Sequence, residues 1–386
     1  MSQKFNVTAD QHHLWEITRS YLKHGLFFLQ GRSWRRMRHI LSPSFTTGKL
    51  KHMSLTIDQA AQRLTSVLES LARKGELLPI KYISGQYTSE IIARTGFGLE
   101  THCLGQEDDE FTQMCKSLIK IHGPIRNLLT TFLLFFPRFH TFLSNITMMK
   151  RFLKNIIYFL TEVAKSESWD DLPKNMSEKE LIGQSILILF AGFETTSTTL
   201  QFCLYLLAQH QDVQEKLLVE IQEVIQSETP TYEEVNKLKY MEQVLDETLR
   251  LFPPLPIITR KALETKTYGD VTVPQGAWVM VLLDQIMMDP KHFPQPEQFD
   301  PERFSEENVS KRDSLSFVPF GSGPRLCLGM RLAYLELKLA LVHVLRKVKV
   351  ELNDKTEPKR GEKPKISYHG IVVVDNPIQL ALTLRG

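Results

Sequence analysis

The sequence predicts a mainly α-helical fold with a minor β component. Apolar residues recur at helical spacing through much of the chain, and several of these stretches begin at a capping signal and end at glycine or proline. Short stretches rich in β-branched residues follow Pro254 and lie between turn signals. With 42% hydrophobic and 24% charged residues among 386, the chain can form a sizeable core, which excludes a mainly disordered protein.

Each predicted helix has its own start or stop signal. One helix covers Ile57 to Arg73 and ends before Gly75. Three further helices open with a Ser, Asp or Thr followed three residues later by Glu, the pattern of a capping box. These boxes begin at Ser177, Asp212 and Thr231. The helix that follows the last box ends at Pro253 and Pro254, because proline cannot donate a hydrogen bond to the preceding turn.

The last third of the chain mixes strands, loops and one long helix. Strands are predicted over Val271 to Val273 and Ala277 to Leu283, between turn signals. A long helix runs from Met330 to about Val348. Two terminal stretches, Ile371 to Val374 and Ile378 to Leu384, are predicted to pair as a hairpin.

Charge, cysteine count and hydropathy exclude several classes of protein. A balance of 47 Lys and Arg against 44 Asp and Glu argues against a dedicated nucleic-acid binder. Four cysteines in a chain of this length do not form a disulfide framework; they indicate a reducing compartment, or one cysteine with a chemical role. No stretch reaches the roughly 18 apolar residues of a membrane span. The apolar segment from Asn127 to Phe142 is either a buried helix or a membrane-surface segment.

The strongest functional signal surrounds Cys327. This cysteine precedes the long amphipathic helix, where unpaired N–H groups and the helix dipole favour a thiolate. Gly321, Gly323 and Gly329 let the backbone approach a flat ligand without a Cβ clash. Arg325 can reach an anionic edge of that ligand. A lone cysteine in a glycine-rich turn would usually be structural, but this combination favours a ligand site.

The segment FGSGPRLCLG, residues 320–329, resembles the haem-binding segment of the cytochrome P-450 haem-thiolate family. The resemblance implies a cytochrome P-450 fold, haem b (iron protoporphyrin IX) as cofactor, and Cys327 as the axial thiolate ligand of iron. It also implies that Phe320, Arg325 and Gly329 contribute to cofactor binding. Zinc is a poor alternative, because the remaining cysteines form no C-x-x-C pair with Cys327 or with each other. These cysteines are Cys103, Cys115 and Cys203.

Two further motifs resemble the same family. ETLR places Glu247 and Arg250 on one helix face, and PERF supplies Arg303; the resemblance implies a buried network of these three residues that supports folding around haem. WRRMR places Trp34 and Arg38 one helical turn apart. The resemblance implies that these two residues contact the haem propionates, together with Arg260 and Arg325. Arg35 and Arg36 are expected to face solvent and to help dock an acidic electron donor.

AGFETTS, residues 191–197, lies within a strongly apolar helix. A glycine, an acid and two threonines are poor choices for a buried helix interior, so we expect a local bulge there. The resemblance implies that Glu194 and Thr195 are catalytic and hold the water network for oxygen activation, with Ala191 and Gly192 against the haem face. The alternative is a polar helix face at a membrane or an interface. Thr196 is expected to bond back to the helix.

The family resemblance is strongest to the family 3 group of animal microsomal enzymes. It implies a monooxygenase that inserts one oxygen atom of O2 into apolar organic substrates of xenobiotic, steroid or fatty-acid-like type. Implied electron partners are NADPH-cytochrome P-450 reductase and, in addition, cytochrome b5. The implied location is the cytosolic face of the endoplasmic reticulum membrane. Alternatives are a reductase-independent endoperoxide isomerase like thromboxane synthase, or a catalytically silent protein that binds haem weakly or competes for the reductase.

The resemblance does not cover the chain evenly. Residues 1–25 form an atypical segment, and 26–386 are expected to form the catalytic domain. The usual membrane anchor and early strands are not found, and 165–179 looks shortened, which suggests a splice form, a gene-model product or a fragment. We therefore expect the fold to be incomplete at the N-terminus, with an exposed sheet edge, and the activity of this chain to need direct measurement.

Overall fold

The computed structural model describes residues 21–101, 103–105, 111–112, 175–368 and 370–385. Helices dominate these residues and the strands are short, so the predicted mainly α-helical fold with a minor β component is confirmed. The chain divides into two compact units, which we describe separately. The first unit contains the described parts of 1–56 and 85–194, and the second contains 57–84 with the described part of 195–386. The apolar segment 127–142 lies outside the described residues.

The described helices are numbered here in chain order. The longer ones are α1 (Gly31–Leu41), α2 (Thr47–Lys74), α3 (Ile80–Ile91), α4 (Glu178–Gln209), α5 (Gln211–Val224), α7 (Lys239–Leu251) and α10 (Met330–Lys347). The shorter ones are α6 (Tyr232–Lys237), α8 (Leu283–Met287) and α9 (Glu306–Ser310). A π-helical turn, Ile92–Gly96, follows α3, and 3-10 turns cover Ser42–Phe45, Pro301–Phe304, Ser314–Ser316 and Gly323–Arg325.

The described strands are all antiparallel to their partners. They are β1 (Leu78–Pro79), β2 (Ile257–Lys261), β3 (Lys266–Tyr268), β4 (Val271–Val273), β5 (Trp278–Leu282), β6 (Val348–Glu351), β7 (Ile366–Tyr368), β8 (Val372–Val374) and β9 (Gln379–Leu384). One sheet has the order β1-β9-β6, and the pairs β2-β5, β3-β4 and β7-β8 form two-stranded sheets. All of them belong to the second unit.

The predicted terminal hairpin is wrong. Strand β8 pairs with β7, with Val372 opposite Tyr368, and β9 pairs with β6, with Leu384 opposite Val348. The apolar pattern of a strand predicts which face is buried, but it does not identify the partner strand. The partners of β9 are β1 and β6, the strand that follows the core helix α10, and these pairings depend on tertiary packing.

Two of the three predicted capping boxes are confirmed. The Ser177 amide donates to Glu180 Oε2 at 2.9 Å, and the Glu180 amide donates back to Ser177 Oγ at 3.3 Å, which opens α4. Thr231 and Glu234 make the same reciprocal bonds, at 2.8 and 3.2 Å. The Thr231 box opens only the short helix α6, because the helical backbone is interrupted at Leu238 before α7 begins.

The predicted capping box at Asp212 and the start of the helix predicted over Ile57 to Arg73 differ from the structure. Helix α5 starts at Gln211, one residue before Asp212, with His210 at the N-cap and no side-chain cap. Asp212 therefore lies inside the first turn, where the positive end of the helix dipole stabilises its negative charge. Helix α2 begins at Thr47, well before the predicted start, and ends as predicted ahead of Gly75, whose φ of 66° suits a left-handed stop.

In the first unit, the start of α4 is held by charged and polar contacts. The guanidinium of Arg36 on α1 is buried and forms an ion pair with Glu180, the same side chain that caps α4. The prediction that Arg36 faces solvent is therefore wrong, because Glu180 offers it a charged partner that sequence spacing does not reveal. Gln184 on α4 accepts the Leu26 amide at 2.8 Å and donates to the His24 carbonyl at 2.6 Å.

In the second unit, α10 is the main buried helix and is tied to its neighbours by buried polar contacts. His343 Nε2 lies 2.6 Å from Asp58 Oδ1 on α2. The Gln214 side chain on α5 exchanges two 2.9 Å hydrogen bonds with the backbone of Val350, which attaches β6 to α5. These contacts place β6, and through it β9, beside the end of α10.

Strands β2 and β5 expose apolar side chains. Trp278 and Met280 of β5 are 63% and 66% exposed, and Ile257 of β2 is 45% exposed. Among the described strands, β5 pairs with β2 alone.

We expect Gly183→Ala to destabilise the protein by about 1–3 kcal/mol, the range for overpacking. A Cβ on Gly183 would lie 2.5 Å from the Tyr21 carbonyl oxygen and 3.2 Å from the Gly25 nitrogen, and backbone atoms cannot move aside cheaply. Gly48→Ala is the matched control, because a Cβ there meets no atom within 4 Å in a helix. The control is expected to be neutral or to stabilise by up to about 1 kcal/mol. Urea unfolding measures both, and equal effects would contradict the close approach at Gly183.

Candidate active site

Cys327 lies in a glycine-rich loop between the 3-10 turn Gly323–Arg325 and α10. Its amide donates to the Phe320 carbonyl at 2.9 Å, and the Gly321 amide donates to the Val318 carbonyl at 2.9 Å. Gly321 and Gly323 adopt φ values of 77° and 70°, which explains why glycine occupies both positions. The thiol is exposed and therefore accessible to a ligand. Gly329 is the N-cap of α10, two residues after Cys327.

Two arginines flank this loop within the second unit. Burial lowers the pKa of Arg325, and the positive charge of Arg260 on β2 lowers it further. A Cβ on Gly321 would lie 3.9 Å from Arg260 Nη2, so the guanidinium borders the loop. Arg260 Nη1 also donates to the Thr259 carbonyl at 2.9 Å. Two guanidinium groups in one another's field favour an anion beside them.

Helix α4 carries the AGFETTS residues without interruption. The expected bulge is absent: α4 is one continuous α-helix from Glu178 to Gln209. Ala191 is exposed and Thr195, one turn later, is half-buried, whereas Glu194 is only 5% exposed. The Thr199 hydroxyl donates to the Thr195 carbonyl at 2.9 Å, so the back-bonding expected at Thr196 is observed at Thr199.

Contacts inside the first unit hold α4 against α3 at these residues. A Cβ on Gly192 would lie 3.0 Å from Ile92 Cδ1, so glycine permits a close approach there. The Thr88 hydroxyl donates to the Phe193 carbonyl at 3.1 Å. These two contacts define the position of Ala191 and Gly192 within the unit.

The candidate residues are distributed over both units. Trp34 and Arg38 are half-buried on α1 in the first unit, which also contains Ala191, Gly192 and Glu194. The Arg38 carbonyl accepts a 2.6 Å hydrogen bond from the Ser42 hydroxyl. The second unit brings together Arg260, Phe320, Arg325, Cys327 and Gly329, and it also contains Thr195.

Glu247 and Arg250 form an ion pair with no exposed surface. Arg250 Nε lies 2.6 Å from Glu247 Oε2, and Arg250 Nη2 lies 2.8 Å from Glu247 Oε1. Arg250 also donates to the carbonyls of Met287 at 3.0 Å and Pro296 at 2.7 Å. Burial raises the pKa of Glu247, while the hydrogen bonds and charge of Arg250 oppose that rise. The pair therefore fixes α7 against the loop that follows α8.

Arg303 is the outer member of this cluster. Its Nε lies 3.4 Å from Glu247 Oε1, an ion pair without hydrogen-bond geometry. Its Nη2 donates to the Gln295 carbonyl at 3.0 Å. Glu247 also accepts the Asp300 amide at 3.0 Å, just before the Pro301–Phe304 turn.

Sequence reasoning missed a contact between Asp246 and Tyr334. The Tyr334 hydroxyl on α10 donates to Asp246 Oδ1 on α7, and the Tyr334 ring packs against the Phe320 ring at 5.4 Å. Burial raises the pKa of Asp246 to about 7, and the hydrogen bond from Tyr334 opposes this rise. An acid beside Glu247 and a tyrosine in the helix after Cys327 are visible in the sequence, but no spacing rule connects them.

Comparison with known proteins assigns the chain to a family. A protein-family model described as "Cytochrome P450" matches residues 2–382. The chain belongs to the cytochrome P450 family. It is 34% identical to cytochrome P450 3A41 of Mus musculus over 383 residues, covering 91% of this chain and 74% of that protein. Identity to cytochrome P450 3A12 of Canis lupus familiaris and to cytochrome P450 3A7 of Homo sapiens is also 34%, covering 95% of this chain and 76% of each relative.

Membership in the cytochrome P450 family makes the chain an oxidoreductase of the monooxygenase type with a haem cofactor. Cytochromes P450 accept electrons from a redox partner and bind small-molecule substrates. The residues of the second unit fit such a cofactor: an accessible thiol suits iron, and the Arg260–Arg325 pair suits carboxylates. Among the described residues, no cluster of three or more His, Cys, Asp and Glu suggests another metal site.

We expect Arg250→Met to destabilise this cytochrome P450 by about 3–5 kcal/mol, because it leaves the Glu247 carboxylate buried without its cation. Lys311→Met is the control, since the Lys311–Glu307 pair is 64% and 79% exposed and contributes at most about 1 kcal/mol. Denaturant unfolding at neutral pH compares the two variants. A loss below about 1 kcal/mol for Arg250→Met would show that the pair is dispensable.

The pKa of Asp246 predicts a pH-dependent stability. In the folded protein Asp246 keeps its proton up to about pH 7, whereas the unfolded chain releases it near 3.8, so unfolding becomes easier as pH rises between these values. Asp246→Asn removes this dependence. We expect the variant to be more stable than wild type by on the order of 2 kcal/mol at pH 8, and equally stable below pH 4. The expected gain is smaller than the pKa difference alone would give, because Asp246 keeps some contact with water.

Unfolding free energies from pH 4 to 8 measure this difference. Asp354→Asn, at an exposed position, serves as the control and is expected to follow the wild-type curve. Parallel curves for Asp246→Asn and wild type would show that Asp246 is ionised throughout this range.

Proposed function

We propose that this cytochrome P450 inserts one oxygen atom of O2 into apolar organic substrates, with electrons from NADPH delivered by NADPH-cytochrome P-450 reductase. Haem b is the proposed cofactor, and cytochrome b5 is proposed as a second electron donor. The observation that carries the proposal is the accessible Cys327 thiol in its glycine-rich loop, next to the Arg260 and Arg325 guanidinium groups.

Cys327 is the proposed iron ligand, and the surrounding residues orient the cofactor. When bound, the haem supplies oxygen activation, which thiolate donation to iron favours. Phe320 accepts the Cys327 amide, and Gly329 ends the loop without a side chain that could block access. The proposed contacts to haem carboxylates come from the side chains of Trp34, Arg38, Arg260 and Arg325.

Glu194 and Thr195 are the proposed proton-handling residues. They are adjacent on α4, so their side chains project about 100° apart around the helix axis. The half-buried Thr195 hydroxyl is suited to hold a water molecule, and the buried Glu194 carboxyl is suited to pass a proton to it. Ala191, whose small side chain is exposed, and Gly192 are the residues proposed to lie against the haem face.

The apolar character of the proposed substrates is supported by α4 itself. Phe190 is 39% exposed, and Leu187 and Ile188 are half-buried on the turn before Ala191.

One described helix, α4, is long and apolar enough to cross a membrane, yet 67% of its most apolar window is buried, as in a core helix. The proposed location at the cytosolic face of the endoplasmic reticulum is supported by the resemblance to microsomal enzymes.

The decisive experiment compares two cysteine variants of the expressed chain. Wild type is expected to bind haem stoichiometrically and to give the long-wavelength Soret band of thiolate ligation in its reduced CO complex. Cys327→Ala is expected to lose this band, because no thiolate remains to bind iron. Cys203→Ala is expected to keep it, because burial raises the pKa of Cys203 to about 12 and its thiol stays protonated.

The same preparations separate the alternative activities. Oxidation of an apolar probe substrate that requires NADPH and reductase supports the proposal. Turnover of a lipid endoperoxide without NADPH would support an isomerase instead. Retention of the thiolate-type band by Cys327→Ala would show that another residue binds iron.

A further inference from the structure

The Asp246–Tyr334 contact connects α7 to the loop of Cys327 through two short steps. The Tyr334 hydroxyl donates to Oδ1 of the Asp246 carboxyl group, and the Tyr334 ring lies 5.4 Å from the Phe320 ring, tilted by 46°. The carbonyl of Phe320 accepts the Cys327 amide at 2.9 Å. All four residues belong to the second unit. A single path therefore runs from a carboxyl on α7 to the backbone of the proposed iron ligand.

Asp246 is a fixed point for this path. Its neighbour Glu247 is held by the fully buried ion pair with Arg250, and Arg250 binds the Met287 carbonyl at 3.0 Å and the Pro296 carbonyl at 2.7 Å. Helix α7 therefore cannot shift or rotate without breaking these contacts. The glycines of the loop before Cys327 allow many backbone conformations, so the backbone hydrogen bonds of Gly321, Leu326 and Cys327 benefit from a support at Phe320.

The charges around Asp246 come from three elements. Glu242 lies one turn earlier on α7, and Lys338, one turn after Tyr334 on α10, contacts Glu242 Oε2 at 2.8 Å. Arg312 follows α9, and its guanidinium lies 4.5 Å from the Phe293 ring and 4.8 Å from the Phe304 ring. Glu242 opposes ionisation of Asp246, whereas Lys338 and Arg312 favour it.

We propose that Asp246 and Tyr334 are positioning residues for Cys327. Their hydrogen bond holds the Tyr334 ring under Phe320, and Phe320 in turn holds the Cys327 amide, so that the sulfur keeps one orientation toward its ligand. The inference rests on the proposed role of Cys327 as haem ligand. It assigns no contact with substrate or cofactor to Asp246 or Tyr334.

The test compares Tyr334→Phe with Tyr205→Phe in the full chain. Both variants lose one tyrosine hydroxyl that donates a hydrogen bond; Tyr205 donates to the Glu362 carbonyl at 2.7 Å, away from the loop. Hydrogen exchange by mass spectrometry reports the opening of 320–329 whether or not haem is bound. We expect Tyr334→Phe to raise exchange in this loop about fivefold, the factor that corresponds to about 1 kcal/mol. Tyr205→Phe is expected to leave it unchanged.

A second readout follows the ligand itself in the haem-loaded protein. Under mild urea, the reduced CO complex of Tyr334→Phe is expected to convert from the long-wavelength to the short-wavelength Soret band about fivefold faster than that of Tyr205→Phe. Equal loop exchange and equal conversion in the two variants would overturn the inference. A wild-type chain that binds no haem would refute the proposed function alone, and loop exchange would still decide the inference.

Substitutions at Asp246 keep the inference testable if Tyr334→Phe fails to fold. Asp246→Asn retains an oxygen acceptor for the Tyr334 hydroxyl, and its loop exchange is expected to stay within about twofold of wild type. Asp246→Leu has similar size and no acceptor, and it is expected to reproduce the increase of about fivefold. Equal loop exchange in these two variants would show that the hydrogen bond does not hold the loop.

Discussion

The ion pair of Glu247 and Arg250 is the contact on which the second unit depends most. Neither side chain is exposed, so both charges have left water, and only close geometry with further hydrogen bonds offsets that cost. The remaining donors of Arg250 bind the carbonyl of Met287, the last residue of α8, and that of Pro296 in the irregular chain that follows. One guanidinium thus organises a stretch that has little regular structure of its own.

Helix α7, which carries Glu247 and Arg250, also orders the glycine-rich loop through Asp246. Asp246 reaches Tyr334, and the Tyr334 ring supports Phe320, whose carbonyl accepts the Cys327 amide. A loop with left-handed glycines has high conformational freedom, so contacts from outside the loop add to the order that its own backbone hydrogen bonds provide. Helix α7 therefore supports both the irregular chain after α8 and the proposed ligand loop.

Unfavourable electrostatics collect around the candidate site. Arg260 and Arg325 lie within one another's field, and burial raises the pKa of Asp246 to about 7. The like charges of Arg260 and Arg325 reduce stability in the protein alone, and such a pair is typical of sites that gain a stabilising partner on ligand binding. The path through Tyr334 was not predictable, because its two helices are distant in sequence and neither carries a recognisable motif at this contact.

Local signals in the chain were sufficient for the helical fold class, the capping boxes at Ser177 and Thr231 and the helix stop before Gly75, and they are also the basis for proposing Cys327 as the iron ligand. Each depends on residues a few positions apart, so short-range geometry decides it. Tertiary packing alone decided the partner of β9, the burial of Arg36 against Glu180 and the contact of Asp246 with Tyr334. These join residues far apart in the chain, and their free energy appears only after the helices and strands have packed.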